Sequence, residues 1–217
     1  MLTERNHGTC QIGVGLPTRE WFMRQGMIAV GLLSAILFML AGCGGMNIED
    51  YRGSEPALTL EDYFHGKTRA WGLFQDRFGN VRRQFVVDID GQWDGKTLTL
   101  TEDFTYNDGE TETRIWRLTK IGEGRYEGRS DDVVGTAIVR SEGKAAYLSY
   151  LIDLKIGDGK QRLRFDDWMF RQDDGALINR ATVTKFGIKV GEVTLFFQRI
   201  KEGVADQVTD DFAAAAQ

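Results

Sequence analysis

The sequence predicts an all-β domain, an antiparallel up-and-down meander of about ten strands that closes into a barrel behind one short helix. From Lys67 to Ile200, apolar and polar residues alternate in twos, and Val, Thr, Phe, Tyr and Trp are frequent. Turn signals interrupt this pattern at regular intervals and include several Asp-Gly pairs. The chain has only 2 prolines in 217 residues, as expected where ladder-forming strands leave few places for a residue without an N–H.

Residues 1–42 are predicted to be a leader that does not belong to the fold. Residues 27–41 form an uncharged apolar run preceded by Arg24, which is typical of a secretory signal peptide. The run is short for a membrane span, which needs about 20 apolar residues, although an uncleaved anchor or a buried core helix are the alternatives. Counted over residues 23–42, the signal has an ordinary length, so residues 1–22 are interpreted as the product of a misassigned start codon.

The apolar run ends in Leu40-Ala41-Gly42-Cys43. This motif resembles the lipobox of bacterial lipoproteins, in which the leader is cut before a cysteine that becomes lipidated. The resemblance implies lipidation of Cys43, and through it a membrane anchor. Because residue 44 is Gly rather than Asp, it also implies the periplasmic face of the outer membrane of a Gram-negative bacterium.

Without the leader, the chain keeps one cysteine, Cys43, and one histidine, His65. These counts leave little room for a disulfide framework, a Cys/His zinc site or a Ser-His-Asp relay. The leader holds three basic and two acidic residues, so the remaining chain has a net charge of -6 and no basic stripe for nucleic acid. We therefore expect a protein that is not an enzyme and has no cofactor and no nucleic-acid partner, with a hydrolase ranked behind two binding functions.

Residues 43–57 are Gly-rich and charged and are interpreted as a tether to a barrel domain at 58–200. At the start of that domain, Thr59 can cap a short helix over Leu60–Phe64. The tail at 201–217 is acidic and Ala-rich and is predicted to be flexible. The predicted strands are 67–76, 82–92, 96–106, 110–120, 124–129, 133–141, 144–156, 160–171, 176–186 and 189–200.

Turn chemistry predicts which residues face each other across the strands. A three-residue loop at 107–109 and two-residue turns at Asp94-Gly95 and Asp158-Gly159 place one set of apolar residues on a single face. A meander with one continuous apolar face closes most economically, because closure removes exposed edges. The predicted pairs are Leu98–Leu118, Leu100–Trp116, Glu102–Arg114, Ile89–Leu100, Val87–Glu102, Phe85–Phe104, Leu154–Leu163, Ile152–Phe165, Tyr150–Asp167 and Leu148–Met169.

The same face carries charged side chains. Glu102 and Arg114 form a cross-strand pair, Asp167 lies beside Tyr150, and Arg83 lies near Tyr106. A charge inside a barrel must be paired or hydrated, so these groups either plug the barrel or fix the polar head of a ligand, unless the face is misassigned. On the ligand interpretation, the binding residues are Arg83, Glu102, Arg114, Trp116, Tyr150 and Asp167.

No metal site is predicted. Residues 88–99 look like a calcium loop, but Trp93 stands where the loop requires Gly and Thr99 stands in place of the last Glu. Asp166 and Asp167 are adjacent in a strand and point to opposite faces, so they cannot grip one ion. His65 is interpreted as a capping or packing residue.

Seven short stretches carry a family resemblance: 60–66, 70–72, 75–79, 100–104, 108–109, 114–116 and 131–135. Together they resemble a family of proteobacterial lipoproteins catalogued as domain of unknown function 3833. The resemblance covers residues 43–200 and implies a lipid-anchored envelope protein. The architecture also resembles the lipocalins, although the Gly-x-Trp signature of that group is absent and ten strands exceed its usual eight.

Two functions remain as hypotheses. The first is a lipid-anchored barrel that binds or carries a fatty or other apolar small molecule. The alternative is a structural or accessory lipoprotein that docks an envelope protein partner through its outer face. The second hypothesis draws on Trp168 and Phe170, which the alternation points outward.

Overall fold

The computed structural model describes residues 45–156 and 159–200. The chain divides into two units, residues 1–46 and 47–217, and every described strand belongs to the second. The predicted leader, Cys43 and the predicted tail at 201–217 lie outside the described residues. Within the described ranges, no helix is both long enough and apolar enough to traverse a bilayer.

The described residues form ten antiparallel strands behind one short α-helix, which confirms the predicted fold class. A 3₁₀ turn at Ile48–Tyr51 precedes the helix α1 at Leu60–Phe64. Each strand begins and ends within two residues of its predicted limits. The strands are β1 Gly66–Asp76, β2 Val81–Trp93, β3 Thr97–Tyr106, β4 Thr111–Gly122, β5 Arg125–Arg129, β6 Val133–Glu142, β7 Ala145–Ile156, β8 Gly159–Arg171, β9 Leu177–Lys185 and β10 Ile188–Arg199.

The sheet is a closed meander. Each strand pairs with the next along the chain, and β1 pairs with β10 from Thr68–Arg199 to Asp76–Gly191. Closure leaves no strand of the described sheet with an unpaired edge, so the sheet offers no ready template for edge-to-edge aggregation. Because successive side chains point to opposite faces, every second residue of each strand is directed into the barrel.

The predicted register is confirmed between β3 and β4, where Leu98 faces Leu118, Leu100 faces Trp116 and Glu102 faces Arg114. The two other predicted registers were wrong by two residues. The observed pairs are Phe85–Tyr106, Val87–Phe104 and Ile89–Glu102 between β2 and β3, and Leu148–Asp167, Tyr150–Phe165, Ile152–Leu163 and Leu154–Gln161 between β7 and β8. A shift of two residues keeps each side chain on its predicted face.

The β2–β3 turn explains one of these shifts. Asp94 itself pairs with Thr97, and its backbone N–H donates to the Thr97 carbonyl over 3.3 Å. The Asp94 carboxylate accepts from the N–H groups of Lys96 (2.8 Å) and Thr97 (2.7 Å), and Gly95 takes the positive φ of 95° that the turn needs. The central turn residues are therefore Gly95-Lys96, one position later than predicted. In the β7–β8 hairpin, pairing continues to Ile156–Gly159, and the two residues between them lie outside the described ranges.

Helix α1 closes one end of the barrel, which we call the closed end. Its Glu61 carboxylate is buried and accepts hydrogen bonds from Lys120 Nζ (2.5 Å) and from the Tyr126 hydroxyl. Burial raises the pKa of Glu61, but the hydrogen bonds from Lys120 and Tyr126 outweigh this effect. The net shift of the pKa is therefore downward. Thr59 occupies the predicted N-cap position, but its side chain makes no capping bond. The helix is thus held by its contacts with the barrel rather than by a local cap.

The segment predicted as a tether packs on the barrel from residue 47 onward. Ile48 is buried, and the Leu58 N–H donates to the Gly143 carbonyl over 2.7 Å. The ring of Tyr51 lies 6.1 Å from that of Trp168 and 5.4 Å from that of Phe170, measured between centroids. Trp168 and Phe170 do point outward, as predicted, but this segment covers them in part.

We predict that Gly91→Ala destabilises the barrel. A Cβ at position 91 would lie far inside van der Waals contact with the Phe64 carbonyl of α1, so the helix would have to move off the closed end. The free energy of unfolding should fall by about 3 kcal/mol, measured by urea denaturation. Gly159→Ala is the matched control, because a Cβ there meets nothing within 4 Å. Equal stability of the two variants would contradict this account of the closed end.

Candidate functional site

Solvent access inside the barrel increases from the closed end to the opposite end, the open end. At the closed end, the inward side chains of Leu98, Leu118, Tyr126 and Val139 are buried. Toward the open end, many inward side chains are only half-buried, and we call the region that they border the lumen. They are Phe74, Phe85, Glu102, Phe104, Tyr106, Tyr150, Leu154, Phe165 and Val193.

The apolar core divides around this lumen. One cluster fills the closed end, and a second, formed by Ile152, Leu163 and Val183, lines the wall near the open end. Tyr150 packs against both clusters. The polar side chains of Glu102, Arg114 and Asp167 lie around Tyr150 rather than in either apolar cluster.

Aromatic rings line two sides of the lumen. On the β2–β3 wall, Phe104 stacks on Tyr106 with centroids 5.9 Å apart, and Phe85 lies 5.8 Å from Phe104. On the β7–β8 wall, Tyr150 stacks on Phe165 at 5.4 Å and meets the edge of Trp116 at 5.2 Å. The lumen is therefore bounded by flat apolar faces, which suit an apolar ligand.

Arg114 is a cation inside the barrel, with a side chain that is 14% exposed. Its Nε donates to Asp132 Oδ2 over 2.9 Å, its Nη2 donates to Glu112 Oε1 over 3.0 Å, and the guanidinium lies 5.2 Å from the Phe104 ring. Burial lowers the pKa of Arg114, but the carboxylates around it raise the pKa by more. The guanidinium thus stays charged and is held by Asp132 and Glu112, not by its predicted partner Glu102.

Glu102 lies opposite Arg114 in the sheet register and faces the lumen, yet its carboxylate makes no hydrogen bond with any described residue. Burial raises the pKa of Glu102 to about 7; Arg114 lowers it, while Asp132, Asp167 and Glu112 raise it further. The side chain is enclosed by protein and keeps some accessible surface because it borders the lumen. Near neutral pH, Glu102 therefore exchanges between its charged and neutral forms.

Asp167 and Asn179 form a second polar group in the wall. Asp167 is buried, and its Oδ1 accepts from Asn179 Nδ2 over 3.2 Å. Burial raises the pKa of Asp167 to about 6, and the hydrogen bonds from Asn179 and Tyr150 lower it in part. Asn179 is 1% exposed, and its Oδ1 has no hydrogen-bond partner. The predicted neighbours Tyr150 and Asp167 are thus in contact, although each pairs with a different residue in the sheet.

Arg83 lies at the rim of the open end. Its guanidinium stacks over the Tyr106 ring at 3.4 Å and forms ion pairs with Asp108 (3.0 Å) and Glu110. The Tyr106 hydroxyl in turn donates to Glu112 over 2.9 Å. Arg83 therefore covers the mouth rather than reaching Glu102 or Arg114.

The structure brings five of the six predicted residues together, namely Glu102, Arg114, Trp116, Tyr150 and Asp167, while Arg83 lies apart at the rim. Their role in ligand binding stays a prediction. Glu112, Asp132 and Asn179 also belong to this group and were not among the predicted residues. Glu112 could have been found, because it lies two residues from Arg114 on the same face of β4. Asp132 follows β5 and lies where the β4–β5 register extends to Arg114, whereas Asn179 comes from the distant strand β9 and no local pattern indicates it.

Other candidate sites are weaker. Within the residues that the structure describes, no three His, Cys, Asp or Glu side chains come close enough to hold a metal ion. The Asp94 carboxylate of the predicted calcium-like loop is occupied by its own hairpin turn. His65 follows α1 as its C-cap residue, and its side chain is exposed.

We predict that Glu102→Gln changes how stability depends on pH. The folded-state pKa of Glu102 is about 7, above its ordinary value, so ionisation of this carboxyl destabilises the fold as the pH rises from about 4.5 through 7. The variant should match the natural protein at pH 4 and exceed its free energy of unfolding by about 1 to 3 kcal/mol at pH 8, measured by denaturant titration. Asp103→Asn, the exposed neighbour on β3, is the control and should leave the pH profile unchanged. Identical pH profiles for Glu102→Gln and the natural protein would show that this carboxyl is not buried.

Comparison with known proteins identifies the family to which this chain belongs. The comparison with curated proteins found no match. The family described as "Protein of unknown function (DUF3833)" matches residues 37–199, a range that includes the lipobox-like motif and every described strand. All lumen side chains named above lie within the matched residues. The chain is a member of the DUF3833 family.

Proposed function

We propose that this protein is a lipid-anchored envelope lipoprotein whose barrel binds a fatty or other apolar small molecule in the lumen. One observation carries the proposal: inward aromatic side chains near the open end keep part of their surface exposed to solvent, although they lie inside a closed sheet. A ligand that covers such apolar surface is stabilised by about 2.5 kcal/mol for each 100 Å² removed from water.

The direction of ligand entry follows from the two ends of the barrel. At the closed end, Tyr63, Phe64 and Leu60 of α1 are fully packed against the strands. At the open end, the hairpin loops surround the lumen, and Arg83 lies over Tyr106 at the rim. A ligand would enter past this rim and place its polar end at the mid-height layer that contains Glu102 and Arg114.

The lipid anchor is supported by the sequence. Leu40-Ala41-Gly42-Cys43 follows the apolar run at the position where a lipoprotein signal is cleaved. The family match begins at residue 37, so this motif lies inside it. Two or three acyl chains on one cysteine hold a protein stably on a membrane, whereas one chain does so only marginally. With Gly44 after the cysteine, we propose the periplasmic face of the outer membrane of a Gram-negative bacterium.

We predict that Cys43→Ser abolishes lipidation. In a Gram-negative host, the natural protein should be processed to begin at Cys43, carry acyl chains by mass spectrometry and fractionate with the outer membrane. The variant should retain its leader and lose both the acyl mass and the outer-membrane fraction. Cys10→Ser is the matched control and should behave as the natural protein does. If Cys43→Ser changes neither mass nor fractionation, the lipoprotein proposal is wrong.

A second candidate function is docking of an envelope protein partner through the outer face. Trp168 gives this hypothesis little support, because the N-terminal segment partly covers it. The support comes instead from an exposed apolar patch across β1, β10 and β9. In this patch, Trp71 is 43%, Phe196 42% and Ile178 41% exposed, and Phe196 pairs with both of the others across the sheet. Isolated apolar residues on a surface are ordinary, but three contiguous ones favour a contact.

We predict that the full-length protein, purified in a mild detergent, carries an apolar molecule that organic extraction and mass spectrometry identify. Leu154→Trp should reduce its yield several-fold, because Leu154 faces the lumen near the open end and a larger side chain would fill that space. Leu151→Trp is the control, because Leu151 lies on the same strand and points outward. Equal yields from both variants would exclude the lumen as the binding site. A specific photo-crosslink from position 71 together with an empty lumen would favour docking instead.

A further inference from the structure

The lumen holds more carboxyl groups than cations. Glu102, Glu112, Asp132 and Asp167 surround Arg114, which already donates to two of them. Three other cations on inward positions are engaged elsewhere. Arg83 pairs with Asp108 and Glu110 at the rim, Lys120 pairs with Glu61 at the closed end, and Lys185 donates to Gln161.

The same region has hydrogen-bond acceptors that lack donors. Asn179 is 1% exposed; its amide nitrogen bonds Asp167, and its Oδ1 is left without a partner. Asp132 Oδ1 is likewise buried and unpartnered. The Glu102 carboxylate makes no hydrogen bond with a described residue. Buried acceptors without donors are costly, and a ligand that supplies N–H groups would satisfy them.

Aromatic faces border this layer. Phe104 already carries the Arg114 guanidinium over its ring, and Trp116 and Tyr150 meet edge to face beside it. The faces of aromatic rings attract cations, most strongly where water is excluded. A carboxylate or phosphate head would instead meet these negative faces and the excess carboxyl groups, with a single guanidinium that is already paired.

We propose that the lumen selects an amphiphile whose polar end is a protonated amine and whose apolar body packs among the lumen rings. The ammonium would lie at Glu102, opposite Arg114 in the sheet and beside Asp132 and Asp167. This inference rests on the proposed function and narrows its ligand class from any apolar molecule to a cationic one.

The test uses three ligands with the same eight-carbon chain: octylamine, 1-octanol and octanoate. Binding to the full-length protein in detergent is measured by isothermal titration, and the Leu154→Trp variant supplies the background from the micelle. At pH 8 we expect octylamine to bind about tenfold tighter than octanol, and octanoate to bind more weakly than octanol. If octanol or octanoate binds as tightly as octylamine, the cationic preference is overturned while the lumen remains a binding site. If none of the three exceeds the background, the proposed function itself fails.

Two variants test whether Glu102 is the residue that causes the preference for octylamine over octanol. Glu102→Gln should remove most of the preference for octylamine over octanol, whereas Asp103→Asn should retain it. Thermal unfolding shows whether each variant is folded, and the comparison of three ligands on the natural protein does not depend on either variant. A preference that persists in Glu102→Gln would overturn the assignment to this carboxyl.

The pH dependence gives an independent readout. The groups that face Glu102 are Arg114 and Glu112 of β4, Asp132 of the β5–β6 turn, Tyr150 of β7 and Asp167 of β8. Octylamine stays protonated over the whole range, so its affinity should rise from pH 5.5 to pH 8 as Glu102 and Asp167 ionise. Octanol affinity should change little. An octylamine affinity that is flat across this range would overturn the proposal.

Discussion

Closure of the sheet between β1 and β10 is the constraint on which the rest of the structure depends. Nine strand pairs join neighbours along the chain, and the tenth joins the first strand to the last. Once that pair forms, each strand has a fixed inner face, and every second side chain must be accommodated in a limited space. Near α1, that space is filled by apolar side chains such as Leu98 and Leu118. At mid-height, the same alternation directs Glu102, Arg114 and Asp167 inward, where burial limits their contact with water. Closure therefore produces both the packed end and the polar lumen.

The polar layer costs stability and divides the core. Replacing a buried ion pair with apolar residues of similar volume is often neutral or stabilising, so Arg114 with Asp132 and Glu112 is weak evidence for a purely structural role. Two of the carboxyls at this height, Glu102 and Asp167, have raised pKa values because burial disfavours their charged forms. The apolar clusters on either side meet mainly at Tyr150. A plug would need complete pairing of its polar groups, whereas this layer leaves acceptors on Asp132 and Asn179 without donors.

The sequence predicts those parts of this site that depend on residues close together in the chain, and not those that depend on residues far apart. The faces of the strands follow from alternation, and the β3–β4 register follows from a single loop, so the Glu102–Arg114 juxtaposition could be predicted. The position of the β2–β3 turn could not, because Asp94 accepts two backbone N–H groups and moves the turn by one residue. Asp132 lies just beyond β5, where the β4–β5 register that pairs Arg117 with Arg129 extends to Arg114, but no Asp-Gly turn signal announces that register in the sequence. The packing of residues 47–57 on the barrel depends on Gly143, whose lack of a side chain admits the Tyr51 carbonyl, and composition alone does not indicate it.

The titration of Glu102 ties stability to binding under the proposed function. In the empty barrel, the folded state favours the proton, so raising the pH removes that proton at the expense of folding stability. A ligand that prefers the ionised carboxylate competes with the proton for the same site, and by linkage it stabilises the folded barrel most where the empty barrel is weakest. An uncharged ligand would lack this coupling, because it would bind both forms of Glu102 about equally. Under the proposed function, the carboxyl whose pKa burial raises and the unpartnered acceptors both favour a ligand that brings a positive group, since Arg114 already donates to Asp132 and Glu112.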